Sequence, residues 1–373
     1  MAVFVKEVLN KKLLREFIYL PARLHKGHST WIPPIYTDEW SFYDPRKNKA
    51  FSYCNTILGL AYDRGKTTGR IMGIINQRYN AIHNENFARF EFLDCINDQE
   101  TGHALVSFIY EWARRQGMSK LVGPLGFSDK EPQGFLISGF EHRAILDSPC
   151  NHPYMIDIIE REGFIKFRDL GNYLIEIPGR MPELFERIYH SVMAKNNLYI
   201  KEFRKKKELK PYIIPVLRLM NETYMPIYGF LPLEEDEMLE LARRYISVLD
   251  PDFIKLVMHE NSVVGFAISI PDISEGLKRS GGYLFPVGLF YILRSLKKSD
   301  KLVVFLGAIK HGYRGKGIDA VLGVKTFETA IRREMKYIES HLILETNVKM
   351  IGEVEKAGGK PYKKFRIYQK DIG

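Results

Sequence analysis

Apolar residues recur along this chain in two rhythms, every second position in some stretches and every third or fourth in others. Alternation over Ala2–Val8 predicts an opening strand, and the spacing of Leu13, Leu14, Phe17 and Ile18 predicts a helix over Lys11–Leu24. The run Trp31-Ile32-Pro33-Pro34 forces extended backbone. Two apolar runs between Thr56 and Asn76 flank Asp63-Arg64-Gly65-Lys66, which is hairpin chemistry, and Phe87–Cys95 reads as a third strand. Asp98 is placed to cap a helix reaching Gln116, with Leu105, Phe108, Ile109, Trp112 and Ala113 on one face and Gly117 at its end. A short strand at Lys120–Val122, a Gly- and Pro-rich loop over Gly123–Gly139, a helix over Pro153–Glu162 closed by Gly163, and a strand at Tyr173–Ile177 complete the first half.

Pro178, Gly179 and Pro182 mark a boundary, after which Met181–Lys210 has a helical pattern ending in the charge run Lys201–Lys210. The second half then repeats the order of elements. Helical stretches at Ile213–Met225 and Glu234–Leu249 precede a hairpin with strands near Phe253–Met258 and Val263–Ile270. An apolar insert at Tyr283–Leu293 and a strand at Leu302–Ile309 follow, and a helix begins near Gly317. A strand at His341–Glu345, a helix at Lys349–Lys356 and a last strand near Phe365–Gln369 close the chain. Asn151 followed by a helix and Gly163-Phe164 is echoed by Asn347, a helix and Gly358-Gly359, as an internal duplication would produce. The expected division is 1–178, a helical linker 179–210, and 211–373.

At 373 residues, 45% hydrophobic and 27% charged, the chain is long enough for two cores and too apolar for disorder. It has no apolar run of membrane-spanning length, and its first twelve residues carry charges where a signal peptide is apolar, so a cytoplasmic protein is expected. Cys54, Cys95 and Cys150 have no zinc or redox spacing and read as reduced packing residues; no metal is expected. The net charge of +10 suits any anionic partner. Arg204, Lys205, Lys206 and Lys207 read as a solvated helix face in preference to a nucleic-acid surface, because only Phe203 supplies a ring beside them.

The most informative stretch is Tyr313-Arg314-Gly315-Lys316-Gly317-Ile318, after an apolar strand and before a helix containing Val321, Leu322, Val324, Phe327 and Ile331. Glycines let backbone amides approach an anion, the helix start faces it with positive potential, and Arg314 and Lys316 add countercharge. This stretch resembles the acetyl-CoA-binding motif of GNAT (acyl-CoA N-acyltransferase) proteins, Arg/Gln-x-x-Gly-x-Gly/Ala, through Arg314 and Gly317. It departs at Asp319, whose carboxylate either turns away as a helix-start residue or marks an altered pocket. Leu342–Asn347 and Gly358 match the family's next strand, asparagine and helix. The segment Tyr362–Tyr368 and, in the first half, Gly123, Pro124, Phe127, Ser128, Gly134, Gly139, Phe140, Asn151, Pro153 and Tyr154 are similar to an uncharacterised bacterial group of such proteins.

The resemblance implies an α/β fold with a mixed sheet, two GNAT-like domains in tandem. It also implies transfer of an acetyl or longer acyl group from acyl-CoA to a small-molecule or peptide amine. It implies a strand bulge at Leu306, Gly307 and Ala308 that binds the thioester carbonyl, although Gly307 equally suits close packing. Gly315, Lys316, Gly317 and Ile318 would hold the pyrophosphate, with Asn347 nearby. Val354 stands where the family's tyrosine acid is usual. Glu345 is then a candidate base or a carboxylate capping a helix, and His311 a phosphate contact, a proton relay or a surface residue. Tyr224, Tyr228 and Phe230 fall where an acceptor wall is built, or in core packing. The insert would take an acyl chain or make a domain or homodimer contact. In the first half Asn97–Gly102 carries two carboxylates in place of the basic and glycine residues, so that copy is not expected to bind CoA; a catalytically silent tandem protein is the alternative.

Overall fold

The computed structural model describes residues 3–146, 148–181, 183–246 and 249–373. Ala2 of the predicted first strand, Pro182 of the predicted boundary, and Ser247 and Val248 of the predicted second-half helix lie outside them. The chain divides into two compact units, one of Met1–Gly171, Ser274–Ile292 and Lys363–Gly373, the other of Asn172–Ile273 and Leu293–Tyr362. A linear cut at 178 and 210 does not describe this division: the apolar insert and the last strand pack with the first unit, and the bridge with the second.

The first unit opens with β1 (Phe4–Glu7), α1 (Lys11–Leu24) and α2 (Tyr36–Phe42). The hairpin of β2 (Cys54–Asp63) and β3 (Lys66–Asn76) turns at Arg64 and Gly65, both with positive φ. Then come α3 (Gln77–His83), β4 (Phe87–Cys95), α4 (Gln99–Arg115), β5 (Lys120–Gly123), β6 (Phe135–Ser138), α5 (Tyr154–Arg161) and β7 (Ile165–Glu176), in which the chain passes to the second unit. Strands β1 to β4 are antiparallel neighbours in sequence order, and β5 lies parallel to β4. Leu105, Ile109 and Trp112 of α4 bury against Ile57, Ile71 and Ile75, while Phe17, Ile18 and Leu20 of α1 join Leu60, Met72 and Ile74 in a second core cluster. Each such side chain contributes about 1.5–3 kcal/mol by leaving water.

Pro21 sits inside α1 and cannot donate to the Phe17 carbonyl one turn earlier. The buried Arg70 guanidinium supplies that bond at 3.1 Å, and also pairs with Asp94 at 2.8 Å. A helix defect is thus tied to a buried ion pair on the sheet.

In the second unit α6 (Glu183–Asn196), β8 (Leu198–Lys201), α7 (Ile213–Tyr224), α8 (Glu235–Tyr245), β9 (Ile254–His259) and β10 (Ser262–Pro271) precede an excursion to the first unit through α9 (Ser274–Ser280). The chain continues with α10 (Gly288–Lys298), β11 (Lys301–Ile309), α11 (Ile318–Arg332), β12 (Tyr337–Ser340), β13 (Ile343–Leu344), α12 (Val348–Lys356) and β14 (Lys360–Asp371). Sheet order here is β7-β12-β11-β10-β9-β8, with β11 and β12 parallel. From Lys363 onward β14 belongs to the first unit, antiparallel to β5 and β6.

Strand β6 lies in the stretch expected as a loop, Arg204 and Lys205 lie in a bend and not on a helix face, and two further elements differ from expectation. Leu198–Lys201 is a strand paired with Leu256–His259, inside a segment whose charges and helical spacing obscured a four-residue alternation. The longer strand expected at His341–Glu345 lies earlier, at Tyr337–Ser340, where Glu339 interrupts the apolar pattern. Its carboxylate is fully buried against the Lys301 ammonium at 2.7 Å and the Asn172 amide at 3.1 Å. No helix of the described residues is long and apolar enough to cross a membrane.

Candidate functional site

In the second unit β11 runs into a turn in which Gly315 and Gly317 adopt φ of 74° and 79°, and Gly317 starts α11. A β-carbon on Gly317 would lie 2.6 Å from Val192 of α6, so backbone angle and space both demand glycine. Ile318 and Val321 are fully buried and anchor the helix from beneath. No side chain caps Gly317, and the first helical bond runs from the Val321 amide to the Gly317 carbonyl at 3.1 Å. The amides of Ile318, Asp319 and Ala320 therefore face outward at the positive end of the helix dipole. Arg314 is exposed, its Nε donating to the Ile309 carbonyl at 3.2 Å, and the Lys316 ammonium lies 4.7 Å from the Tyr313 ring centre. Asp319 is exposed and caps nothing, in keeping with a carboxylate turned to solvent.

The edge of β11 next to this turn is unusual. Its pairing with β12 covers only Lys301–Val304, and its register against β10 slips so that Phe305 is an extra residue. Gly307 stands opposite Ala267 of β10, yet both its polar backbone groups meet one side chain. The Tyr224 hydroxyl, at the end of α7, donates to the Gly307 carbonyl at 2.9 Å and accepts from the Gly307 amide at 3.2 Å. Phe230, fully buried, holds the Tyr224 ring edge-on at 5.6 Å.

The equivalent places in the first unit are filled. Asp98 caps α4, accepting from the Thr101 amide at 2.8 Å and hydroxyl at 2.6 Å, and a β-carbon on Gly102 would meet Ile158 at 2.3 Å. Strand β4 has its own bulge, with Phe92 at φ 53°, but the loop after β5 occupies the opening beside it. The Leu125 amide donates to the Phe90 carbonyl at 2.9 Å, and Arg89 donates to the Gly126 and Phe127 carbonyls at 3.0 Å each. Burial pushes the Glu91 carboxyl beside this bulge well above the ordinary range.

No protein-family model matches the chain. The chain is 26% identical to the protein YghO of Escherichia coli over 99% of its own length and 95% of the relative's. It is 25% identical to a bacterial ceramide synthase of Caulobacter vibrioides over 96% and 95%. Among solved structures, a tandem GNAT protein from the clavulanic acid biosynthesis pathway superposes with a TM-score of 0.58 at 12% identity, covering 100% of this chain and 99% of that one. The chain has a tandem GNAT fold. Within it, β11, the glycine turn and α11 form the strand-turn-helix that the sequence motif anticipates.

The fold brings some candidate residues together and disperses others. Tyr224, Leu306, Gly307 and Ala308 share one strand edge, and Arg314 to Ile318 form the turn at its end. Asn347 caps α12, accepting from the Met350 amide at 3.3 Å. Glu345 is exposed after β13, and His311 is exposed in the turn after β11. Tyr228 is half-buried, Phe230 is a core residue beneath Tyr224, and Val354 is buried in the core. The bulge expected at Leu306, Gly307 and Ala308 lies one residue earlier, at Phe305, and the Tyr224–Gly307 contact had no signal in the sequence beyond an aromatic residue late in a helix.

Proposed function

We propose that this tandem GNAT is an N-acyltransferase that moves an acyl group from acyl-CoA to an amine, with its working site in the second unit. The observation that carries the reading is the uncapped start of α11 beside the Gly307 amide, because one element suits a pyrophosphate and the other a thioester carbonyl. Nothing lies within 4 Å of a β-carbon built on Gly315, which leaves room for a phosphate, and the donors are amides and cations that match such an anion. Arg314, Gly315, Lys316, Gly317 and Ile318 would bind the nucleotide tail, and Leu306 to Ala308 would align the thioester.

Attack by the amine nitrogen forms the new C–N bond and breaks the C–S bond. The amine proton passes to Glu345, directly or through water, and the departing thiolate takes a proton from the Tyr224 hydroxyl. His311 is assigned to the phosphate end. The likeness to a bacterial ceramide synthase supports a long-chain amino alcohol as acceptor. An exposed apolar segment including Tyr283, Phe285, Val287 and Phe290 suits an acceptor delivered from a membrane surface. The seating of Tyr224 on the very amide that a thioester needs favours a second reading, a silent binding protein.

The test is incubation with acetyl-, medium- and long-chain acyl-CoA and either sphinganine or a short amine, following thiol release and the N-acylated product by mass spectrometry. Amide formation that is lost in Arg314→Glu, Gly317→Asp and Glu345→Gln is expected. Binding of acyl-CoA without turnover on any amine would select the silent reading, and absence of binding would remove both.

A further inference from the structure

We propose that the first unit carries a zinc-class metal site formed by His25, His28 and His152, reversing the expectation from the sequence that the chain holds no metal. One ring nitrogen of each lies within 4.8 Å of the other two. His25 ends α1, His28 follows one turn later, and His152 precedes α5, so three separate backbone features converge.

The hydrogen bonds around the cluster fix which nitrogens carry protons. His152 Nε2 lies 3.3 Å from the Leu24 carbonyl, which can only accept, so that nitrogen is the donor. His28 Nε2 lies 3.0 Å from the Thr30 hydroxyl, whose proton goes to the Phe140 carbonyl at 3.2 Å; the hydroxyl therefore accepts from His28. His25 Nε2 faces the Asp94 carboxylate at 3.6 Å. The His28 and His152 rings thus spend their Nε2 protons outward and turn Nδ1 lone pairs inward, and His25 does the same in the tautomer whose Nε2 proton faces Asp94.

The Nδ1 atoms of His25 and His28 stand 2.9 Å apart, where a proton on one of them or a shared cation must sit between them. Two lone pairs at that distance repel unless a proton or a cation sits with them. A proton would have to be kept among three packed imidazoles, whereas a divalent metal would bind the His25 and His28 nitrogens and recruit His152 once its ring turns. Outward hydrogen bonds to a hydroxyl and a backbone carbonyl, with a carboxylate facing the third ring, are the kind of support that orients metal-ligating histidines. Asp94 is itself held by Arg70, which also mends the break at Pro21 in α1, so the support for His25 is rigid. The nearby Lys278 ammonium is directed to the Ser29 carbonyl.

Three neutral imidazoles with a position left for water suit Zn2+ and accept Co2+ as a spectroscopic stand-in. The three rings are stacked, with His25 and His152 at 4.8 Å, so ligation requires His152 to turn out of the stack. His28 and His152 are half-exposed, which gives the ion a way in. The metal would tie the end of α1 to the start of α5.

The test uses the full, untagged protein stripped with chelator and titrated with ZnCl2 and CoCl2. Expected are uptake of one equivalent of Zn2+, a rise in thermal midpoint, a Co2+ visible band of the intense four-coordinate type, and quenching of Trp31, whose ring stacks on His25 at 5.2 Å. His28→Gln and His152→Gln should abolish these effects while the apo variants melt with apo wild type, and His103→Gln, on an exposed helix face, should not. Thr30→Val should weaken Zn2+ by about tenfold, as loss of an outer-shell partner does. Failure of the wild type to take up one equivalent, a weak six-coordinate Co2+ spectrum, or uptake retained in both histidine variants would overturn the site. The wild-type spectra decide the matter even if a variant fails to fold, and none of these readouts depends on acyl transfer.

Discussion

Replacing Tyr224 by phenylalanine separates the parts that the second unit's strand edge could play. The ring and its edge-on contact with Phe230 at 5.6 Å are kept, and only the hydroxyl that bridges the Gly307 amide and carbonyl is removed. Gly307 is exposed, so water replaces the lost partner and the stability cost stays near the lower end for a net hydrogen bond, about 0.5–1 kcal/mol. That corresponds to a fall in melting temperature of roughly 1–4 °C. Loss of a general acid is far larger in rate, about 100-fold or more in kcat. The assay is initial-rate kinetics at saturating acyl-CoA and amine beside a thermal melt. A large fall in kcat with an unchanged KM for acyl-CoA is the expected pattern. A kcat equal to wild type with a lowered KM would refute the assignment, leaving Tyr224 as a cover that acyl-CoA displaces.

Arg314→Glu should weaken CoA binding by about tenfold or more through charge reversal at the helix start, read by calorimetry. Asp98→Ala should leave CoA affinity alone and cost about 1 kcal/mol of stability as a lost cap. Asp169 is buried beneath Arg366, with contacts at 2.8 and 3.1 Å, and beside Lys166 and Lys364. Burial alone would raise its pKa, but these bonds win and hold the carboxyl well below the usual range. Its stabilisation is therefore complete above the unfolded value, about pH 4, and fades as pH falls through the folded one. Asp169→Asn should cost about 1–2 kcal/mol in urea denaturation at pH 7, since its cationic partners keep contact with water, and flatten the acid dependence below pH 4. Phe285→Asp with Phe290→Asp should reduce turnover of an amine presented in anionic vesicles and spare the same amine dispersed in detergent.

Much of the frame was legible because its signals are local. Asp98 before an amphipathic run, Gly65 between apolar runs, and Gly317 between strand and helix each state a backbone requirement in the residue itself. What escaped depends on partners distant in sequence. Glu339 reads as a strand breaker until Lys301 neutralises it, and Tyr224, read as an acceptor-wall or core residue, gains its contact only when Gly307 arrives 83 positions later. His152 is likewise separated from His25 and His28 by more than a hundred residues, so no spacing rule could join them. The exchange of Lys363–Gly373 into the first unit is invisible for the same reason, since β14 has the same alternation whichever strand it joins.

Both units face one backbone problem, and their different answers argue for where chemistry resides. A pair of parallel strands that parts after three or four residues leaves amides and carbonyls on the opening edge that must find partners. In the first unit the answer is covalently part of the chain: the Leu125 amide and the Arg89 guanidinium bind backbone across the opening, and their loop cannot leave without unfolding. In the second unit it is a single hydroxyl, which a rotation of Tyr224 withdraws and which a thioester oxygen can replace at the Gly307 amide. Exchange of one hydrogen bond for another of similar strength costs little. A ligand site needs an edge whose satisfaction is exchangeable, and by that criterion the second unit is the copy to which the proposed turnover is assigned.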